Sequence, residues 1–384
     1  MESRFRKGRV RFLLLCFIRL VPLSTLAFPA ITSYSPAMQR KRRIRLFALA
    51  ALLAVLLAAL AWFFLPERDR MFHGKPESEW VTNIVYGMQL SDDQNKAQAQ
   101  RWRDFGPEGL RVLERGLEPS RGHRYRQFYR RYARKLPRWA LNLLPDPSMD
   151  KSSGTRMCVL SLLCRMETNA WPAWRAAARA LEDENDGVRQ MAINFFTWHE
   201  DDSALLNHMP VRDKKTVLPL FLRALETARS WGPRNNAALA LRYYRDEKAA
   251  VIPTLTNALG DTEPYVRLTA AESLNHVDAE AASRAGVVKV LEVLVTDAND
   301  QIGGRAASVL RNCRKDEHAA VAALIKALHS TNTYVSCSAV WSLESFPGHA
   351  ETIIPELRKA AERKDNAAGY AKNAITSLES RQKR

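Results

Sequence analysis

Val266-Arg267-Leu268-Thr269-Ala270-Ala271-Glu272-Ser273-Leu274 decides the fold. Its apolar and small residues fall at spacings of three, four and eight, which one face of an α-helix brings together. The alanine pair leaves room for a neighbouring helix to approach closely. The same pattern stands at Val188-Arg189 with Ala192 and Phe196, and at Arg234 with Ala237, Ala238 and Leu241. Weaker copies run from Thr155-Arg156 to Leu163, and begin at Ile302, Val335 and Tyr370.

A second pattern precedes each copy. It predicts a helix opening near Pro107, Pro137, Pro172, Pro219, Pro253 and Pro355, with Lys289 and Ala323 in the same place in two more units. Proline suits a first helical turn, where its missing N–H leaves no bond unmade. Turn residues such as Gly260-Asp261 and Asp297-Ala298-Asn299 separate the two helices. One such hairpin cannot cover its own apolar face, whereas a stack of them shares a continuous core. The long step before Pro219 implies an insertion at His199–Thr216.

These residues resemble a HEAT-repeat (armadillo-type) array of about eight helical hairpins over 106–380. The resemblance implies an all-α, right-handed α-α superhelix. It also implies a structural ladder: an Asp in the turn and an Arg early in the second helix, tying adjacent repeats. The matching residues are Asp150 with Arg156, Asp183 with Arg189, and Asp261 with Arg267. Asp297 is followed by Gly303 instead, and Ser336 and Ala371 depart as well. HEAT arrays are functionally mixed, so the resemblance speaks to architecture before ligand.

Outside the repeats, Leu46–Leu65 is a run without charge. At ~1.5 Å per residue it spans about 30 Å, a bilayer's hydrocarbon thickness. Arg40, Lys41, Arg42, Arg43 and Arg45 precede it, while the flank after it mixes signs. The positive-inside bias predicts residues 38–45 as a cytoplasmic flank and the array on the outer side of an inner membrane. Ala59-Leu60-Ala61 could serve signal cleavage, but bulky Trp62, Phe63 and Phe64 follow, favouring an anchor. Residues 1–37 read as an extension from a misassigned start, with Met38 opening a normal signal-anchor layout. Residues 66–105 read as a helical lead-in: Pro76 opens a short helix bearing Trp80, Ile84, Val85 and Met88, and Trp102 and Phe105 follow on a second.

The net charge of +17 is unevenly placed. Residues 1–66 hold 11 basic and one acidic residue, residues 111–138 hold 10 and two, and residues 139–384 hold 31 and 30. The bulk of the chain is neutral, so the overall basicity does not indicate nucleic acid. Five cysteines without a C-x-x-C pair are too sparse for a disulfide framework, and Cys158, Cys313 and Cys337, inside apolar helical segments, read as buried free thiols.

The basic patch of Arg121, Arg124, Arg126, Arg130, Arg131, Arg134, Lys135 and Arg138 interleaves with Tyr125, Phe128, Tyr129, Tyr132 and Trp139. The aromatics fit a buried stripe and the arginines a solvated edge. The same patch could meet anionic lipid headgroups or an anionic polymer. His199-Glu200-Asp201-Asp202, with His208 nearby, could ligate a metal. A HEAT-type hydroxylase family uses several His-Glu pairs for iron, and this chain has one, so that carry-over fails. No nucleophile elbow, phosphate loop or H-E-x-x-H motif occurs. The expectation is a membrane-anchored scaffold for a protein or peptide partner, without catalytic residues, metal or cofactor. The rivals are a HEAT-like lyase or hydrolase with an unrecognised site, and binding of an anionic polymer or lipid surface by the arginine-rich repeat.

Overall fold

The computed structural model describes residues 69–85, 89–118, 129, 131–135, 152–197 and 204–382. The expected spanning helix Leu46–Leu65, its flank 38–45 and the extension 1–37 lie outside the described residues. No helix among the described residues is long and apolar enough to cross a membrane.

The unit that begins at Asp69 opens on a small antiparallel pair, β1 (Met71–Phe72) with β2 (Lys75–Pro76). This pair is absent from the all-α expectation. Gly74, at φ 77°, makes the turn between the strands. Pro76 then caps α1 (Glu77–Thr82), which ends before Ile84 and Val85. The lead-in helix is therefore shorter than the apolar spacing predicts, and Ile84 is buried from a loop while Val85 is exposed. Ser91 starts α2 (Asp92–Asp104) with a reciprocal capping box to Gln94. Next comes α3 (Gly106–Gly116). Trp80, Trp102 and Phe105 pack edge-to-face, and the Trp80 indole N–H donates to Phe72 O at 2.7 Å. Arg115 reaches back to Glu77 through two hydrogen bonds of 2.8 and 2.6 Å, fixing α3 to α1.

The array follows. α4 (Ser152–Arg165) is a second helix, and six complete hairpins come after it among the described residues. A 3-10 segment at Glu167–Ala173 continues into α5 (Trp174–Ala180), which pairs with α6 (Asp186–Thr197). Beyond the insertion, α8 (Val211–Thr227) pairs with α9 (Trp231–Leu241), and α10 (Lys248–Ala258) with α11 (Pro264–Val277). After a short α12 (Ala279–Arg284) come α13 (Val287–Leu294) with α14 (Asp300–Leu310). The last pairs are α15 (Glu317–Leu328) with α16 (Thr333–Leu343), and α17 (Ala350–Ala361) with α18 (Asn366–Gln382).

Second helices pack side by side in the order α4, α6, α9, α11, α14, α16, α18. The core lies between them and the first helices. The alanine pairs Ala237–Ala238, Ala270–Ala271 and Ala306–Ala307 are fully buried, as are Leu241, Leu274 and Leu310. At Gly303 the approach is closer still. A Cβ there would stand 2.9 Å from Val335 Cγ2 and 3.1 Å from Val295 O. That contact with α16 accounts for a glycine where the repeat pattern elsewhere carries arginine.

The proline placement is corrected. Pro219, Pro253 and Pro355 lie inside α8, α10 and α17, beyond the first turn, and Pro172 lies inside the 3-10 segment. The helices start earlier than the prolines suggest: the residues just before them are Pro210 for α8, Glu247 for α10 and His349 for α17, none with a side-chain cap hydrogen bond. The insertion is partly helical. α7 (Leu205–His208) buries Leu205 and Leu206, and the His208 ring stacks 5.0 Å from that of Trp171.

Candidate interaction surface

The ladder residues show how the repeats are joined. Arg156, on α4, donates from Nε to Asp183 Oδ2 at 2.8 Å and from Nη2 to Oδ1 at 3.1 Å. Both side chains are buried, at 2% and 4% exposure. Asp183 Oδ1 also accepts from the Asn185 N–H, closing its own turn, while Arg189 Nη1 donates to the Asp183 carbonyl at 2.7 Å. The arrangement recurs in the α9–α11 region. Arg234 forks onto Asp261 at 2.8 and 2.9 Å, Asp261 accepts from the Glu263 N–H, and Arg267 Nη1 donates to the Asp261 carbonyl at 2.8 Å.

The sequence pattern pairs each Asp with the Arg six residues on. In the structure that Arg holds the backbone carbonyl of the Asp. The carboxylate belongs to an Arg 27 residues earlier, on the preceding second helix. Arg234 is thus a ladder residue that the sequence pattern left out. Its signal is the shared 27-residue step from Arg to Asp. Asp150 lies outside the described residues, and Asp297 makes only its own turn contact among those seen, accepting from the Asn299 N–H at 2.9 Å.

Burial pushes the Asp261 carboxyl upward. The hydrogen bonds from Arg234 and the Glu263 amide outweigh it, so the group titrates below its ordinary value. A carboxyl depressed by folding adds stability above its unfolded pKa, and that stability is lost as pH falls through the folded value. Asp261→Asn should therefore cost about 1.5–3 kcal/mol at pH 7, the range for a hydrogen bond to a charged group. The gap to wild type should shrink as pH drops below about 4. Urea unfolding at pH 7 and pH 3 measures it; an equal gap at both would show that the carboxylate charge adds nothing.

The two outer faces of the array differ in chemistry. On the first helices and the segments leading into them, several cations meet carboxylates of neighbouring units. Arg223 pairs with Glu182 at 2.5 Å, Lys215 with Glu247 at 2.9 Å, Lys248 with Asp278 at 2.9 Å, Lys315 with Glu280 at 2.6 Å and Lys326 with Glu292 at 3.4 Å. Such exposed pairs are each worth about 0.2–1 kcal/mol at most.

The second-helix face carries aromatics instead. Trp231 is 44% exposed and Trp341 59%, with Tyr334 and Tyr370 also exposed. The Trp231 and Tyr265 rings stack at 5.3 Å and 18°, and Trp341 meets Tyr370 edge-to-face at 5.5 Å. Amides join neighbouring helices across the same face. Asn236 Nδ2 donates to Asn194 Oδ1 at 2.6 Å, and Thr269 Oγ1 donates to Asn235 Oδ1 at 2.7 Å. These links tie α6 to α9 and α9 to α11.

Of the predicted basic patch, Arg121, Arg124, Arg126, Arg130 and Arg138 lie outside the described residues. Arg131 is exposed with its guanidinium 5.9 Å from the centre of the Tyr132 ring, and Arg134 and Lys135 sit in a single 3-10 turn, Ala133–Lys135. His199, Glu200, Asp201 and Asp202 also lie outside the described residues. Among the described residues no three His, Cys, Asp or Glu side chains come together as metal ligands. Cys164 and Cys313 are buried, and burial pushes each thiol up to about 12.

Residues 218–285 match the family model for HEAT repeats. No curated protein matches the sequence. Solved structures resembling the chain include a designed armadillo repeat protein, 18% identical over 53% of this chain and 98% of its own, with a TM-score of 0.39. Another designed armadillo repeat protein, in complex with the peptide (KR)4, is 16% identical over 53% and 98%, at 0.40. An engineered protein is 17% identical over 79% and 99%, at 0.38. At these scores the structures carry no weight for partner or activity. The hairpin matched over 218–285 recurs through the described residues with the same layer order, so the array is a stack of helical hairpins whose residues 218–285 match HEAT repeats.

Proposed function

We propose that the protein is a membrane-anchored interaction scaffold that docks a protein or peptide segment on its second-helix face. The observation that carries this reading is the contrast between the two faces. On the first-helix side five cations pair with carboxylates of neighbouring units, whereas Trp231, Tyr334, Trp341 and Tyr370 lie exposed on the other side. Exposed tryptophan and tyrosine supply the largest contact energy per side chain at protein interfaces, and a stacked array offers them along an extended surface. Anchorage through Leu46–Leu65, with the array outside the inner membrane, is supported by that uncharged run and the arginines preceding it.

Site-specific photo-crosslinking in native membranes tests the docking face. A crosslinker at Trp231 or Trp341 should give a discrete protein adduct, and one at Lys326 on the first-helix face should not. Adducts from Lys326 alone would place the partner on the wrong face and end this reading. Protease added to intact spheroplasts should cut the array; full protection there would overturn the outward placement.

A further inference from the structure

The second-helix face has an unbalanced charge cluster beside its aromatic row. Glu272, on α11, lies between two guanidiniums: Arg305 Nη2 at 3.2 Å and Arg242 Nη1 at 3.7 Å. One carboxylate thus serves two arginines. One turn further along α11, His276 Nε2 lies 2.5 Å from Arg245 Nη2, so a third guanidinium faces an imidazole instead of a carboxylate. On the first-helix side Glu356 is also shared, but by Lys359 and His329 instead of two guanidiniums.

Trp231 opens α9 and Arg242 is its C-cap with helical backbone angles; 11 residues apart, about three turns, they fall on the same face. Tyr265 and His276 repeat that spacing on α11. The aromatic pair and the arginine cluster are therefore parallel rows about 16 Å apart, at 1.5 Å per residue. That distance is the reach of about five extended residues.

We infer that this face takes an acidic peptide segment of a partner protein, its carboxylates on Arg242, Arg305 and Arg245 and an apolar side chain about five residues away on the Trp231–Tyr265 platform. The inference rests on the docking face proposed above and adds the chemistry of the occupant. A peptide fits better than a bilayer because Arg242 and Arg305 are partly buried between the helices, where single side chains can reach them. Guanidinium forks match carboxylates bidentately, which a shared Glu272 leaves incompletely satisfied.

The test uses the purified full chain in detergent and a fluorescent decapeptide carrying one leucine and, about five residues on, three glutamates. Its counterpart has glutamines for the glutamates. Fluorescence anisotropy should show the acidic peptide binding and the glutamine peptide binding far more weakly, with affinity falling as salt is raised. Arg242→Gln with Arg305→Gln should weaken the acidic peptide about 10-fold, as two exposed charge contacts would. Glu272→Gln should tighten it about 3-fold, since the competing carboxylate is gone. This gain cannot arise from misfolding.

Equal binding of both peptides, unmoved by these variants but lost in Trp231→Ala, would overturn the acidic occupant and leave the docking face standing. Loss of neither in Trp231→Ala would count against the docking face itself. Failure of the acidic peptide to bind, or no gain in Glu272→Gln, would overturn the inference. So would phosphatidylglycerol vesicles being captured through Arg242 and Arg305 while the peptide is not, which would assign the cluster to a lipid surface.

Discussion

Arg156→Leu should destabilise the array by about 3–5 kcal/mol, because it strips the partner from a buried carboxylate. Asp183 is nearly inaccessible, and its two oxygens receive the Arg156 fork at 2.8 and 3.1 Å. Water cannot replace the guanidinium without opening the contact between α4 and α6. Arg156→Lys should recover part of the loss: it keeps the charge but not the planar pair of donors. Arg156→Leu with Asp183→Leu should recover more, since no buried charge then remains unpaired. It should fall short of wild type by about 1 kcal/mol, because the Asn185 N–H loses its acceptor.

The loss should also be local. In a stacked array each unit contacts its neighbours alone, so stability is a sum of unit and interface contributions. Hydrogen exchange should accelerate in α4 and α6 and stay unchanged in α15–α18. A uniform acceleration through α18 would show that the array unfolds as one block and that the nearest-neighbour picture is wrong. Urea unfolding of the three variants supplies the energies.

Much of the architecture is legible in the chain. The spacing of Val266, Ala270 and Leu274 places three side chains on one helix face, and all three are fully buried. The turn aspartates are legible too, because Asp183, Asp261 and Asp297 each accept from the N–H two residues on, a local contact that local sequence encodes. The ties between repeats are less legible. Arg156 and Asp183 meet through the register of two packed helices, and no local rule supplies that register. Only the recurrence of the same 27-residue step at Arg234 and Asp261 hints at it.

The prolines misled for a related reason. Their recurrence marks a fixed place in each unit, but that place lies inside the helix, and the helix starts several positions upstream. The aromatic face is not legible from residue type. Trp231 and Tyr265 differ from Phe196 and Phe221 only in which way the helix turns them, and that depends on the neighbouring helix.

The second large effect concerns that core. Phe221, on α8, is fully buried and joins three elements. Its ring meets Phe196 of α6 at 5.6 Å and Tyr244, just beyond α9, at 6.1 Å, both edge-to-face. Tyr244 is buried as well, and its hydroxyl donates to Lys214 O at 3.2 Å, so the chain of rings clamps the hairpin after the insertion onto the one before it. Phe221→Ala should cost about 3–5 kcal/mol, the transfer loss plus the cavity. Phe221→Leu should cost less than about 1.5 kcal/mol if the pocket mainly requires volume, and about 0.5–1.5 kcal/mol more if the ring contacts matter in themselves. The larger consequence is cooperativity. The insertion between α6 and α8 already lengthens the connection at this interface. Weakening it further should let the units before residue 198 and those after residue 211 melt separately. Calorimetry of wild type should then show one transition and that of Phe221→Ala two. A single transition in the variant, merely shifted down, would mean that the second-helix contact of α6 with α9 couples the two halves without the ring chain. In that case the Asn194–Asn236 hydrogen bond and the Ala237 packing beside it would be the next contacts to remove.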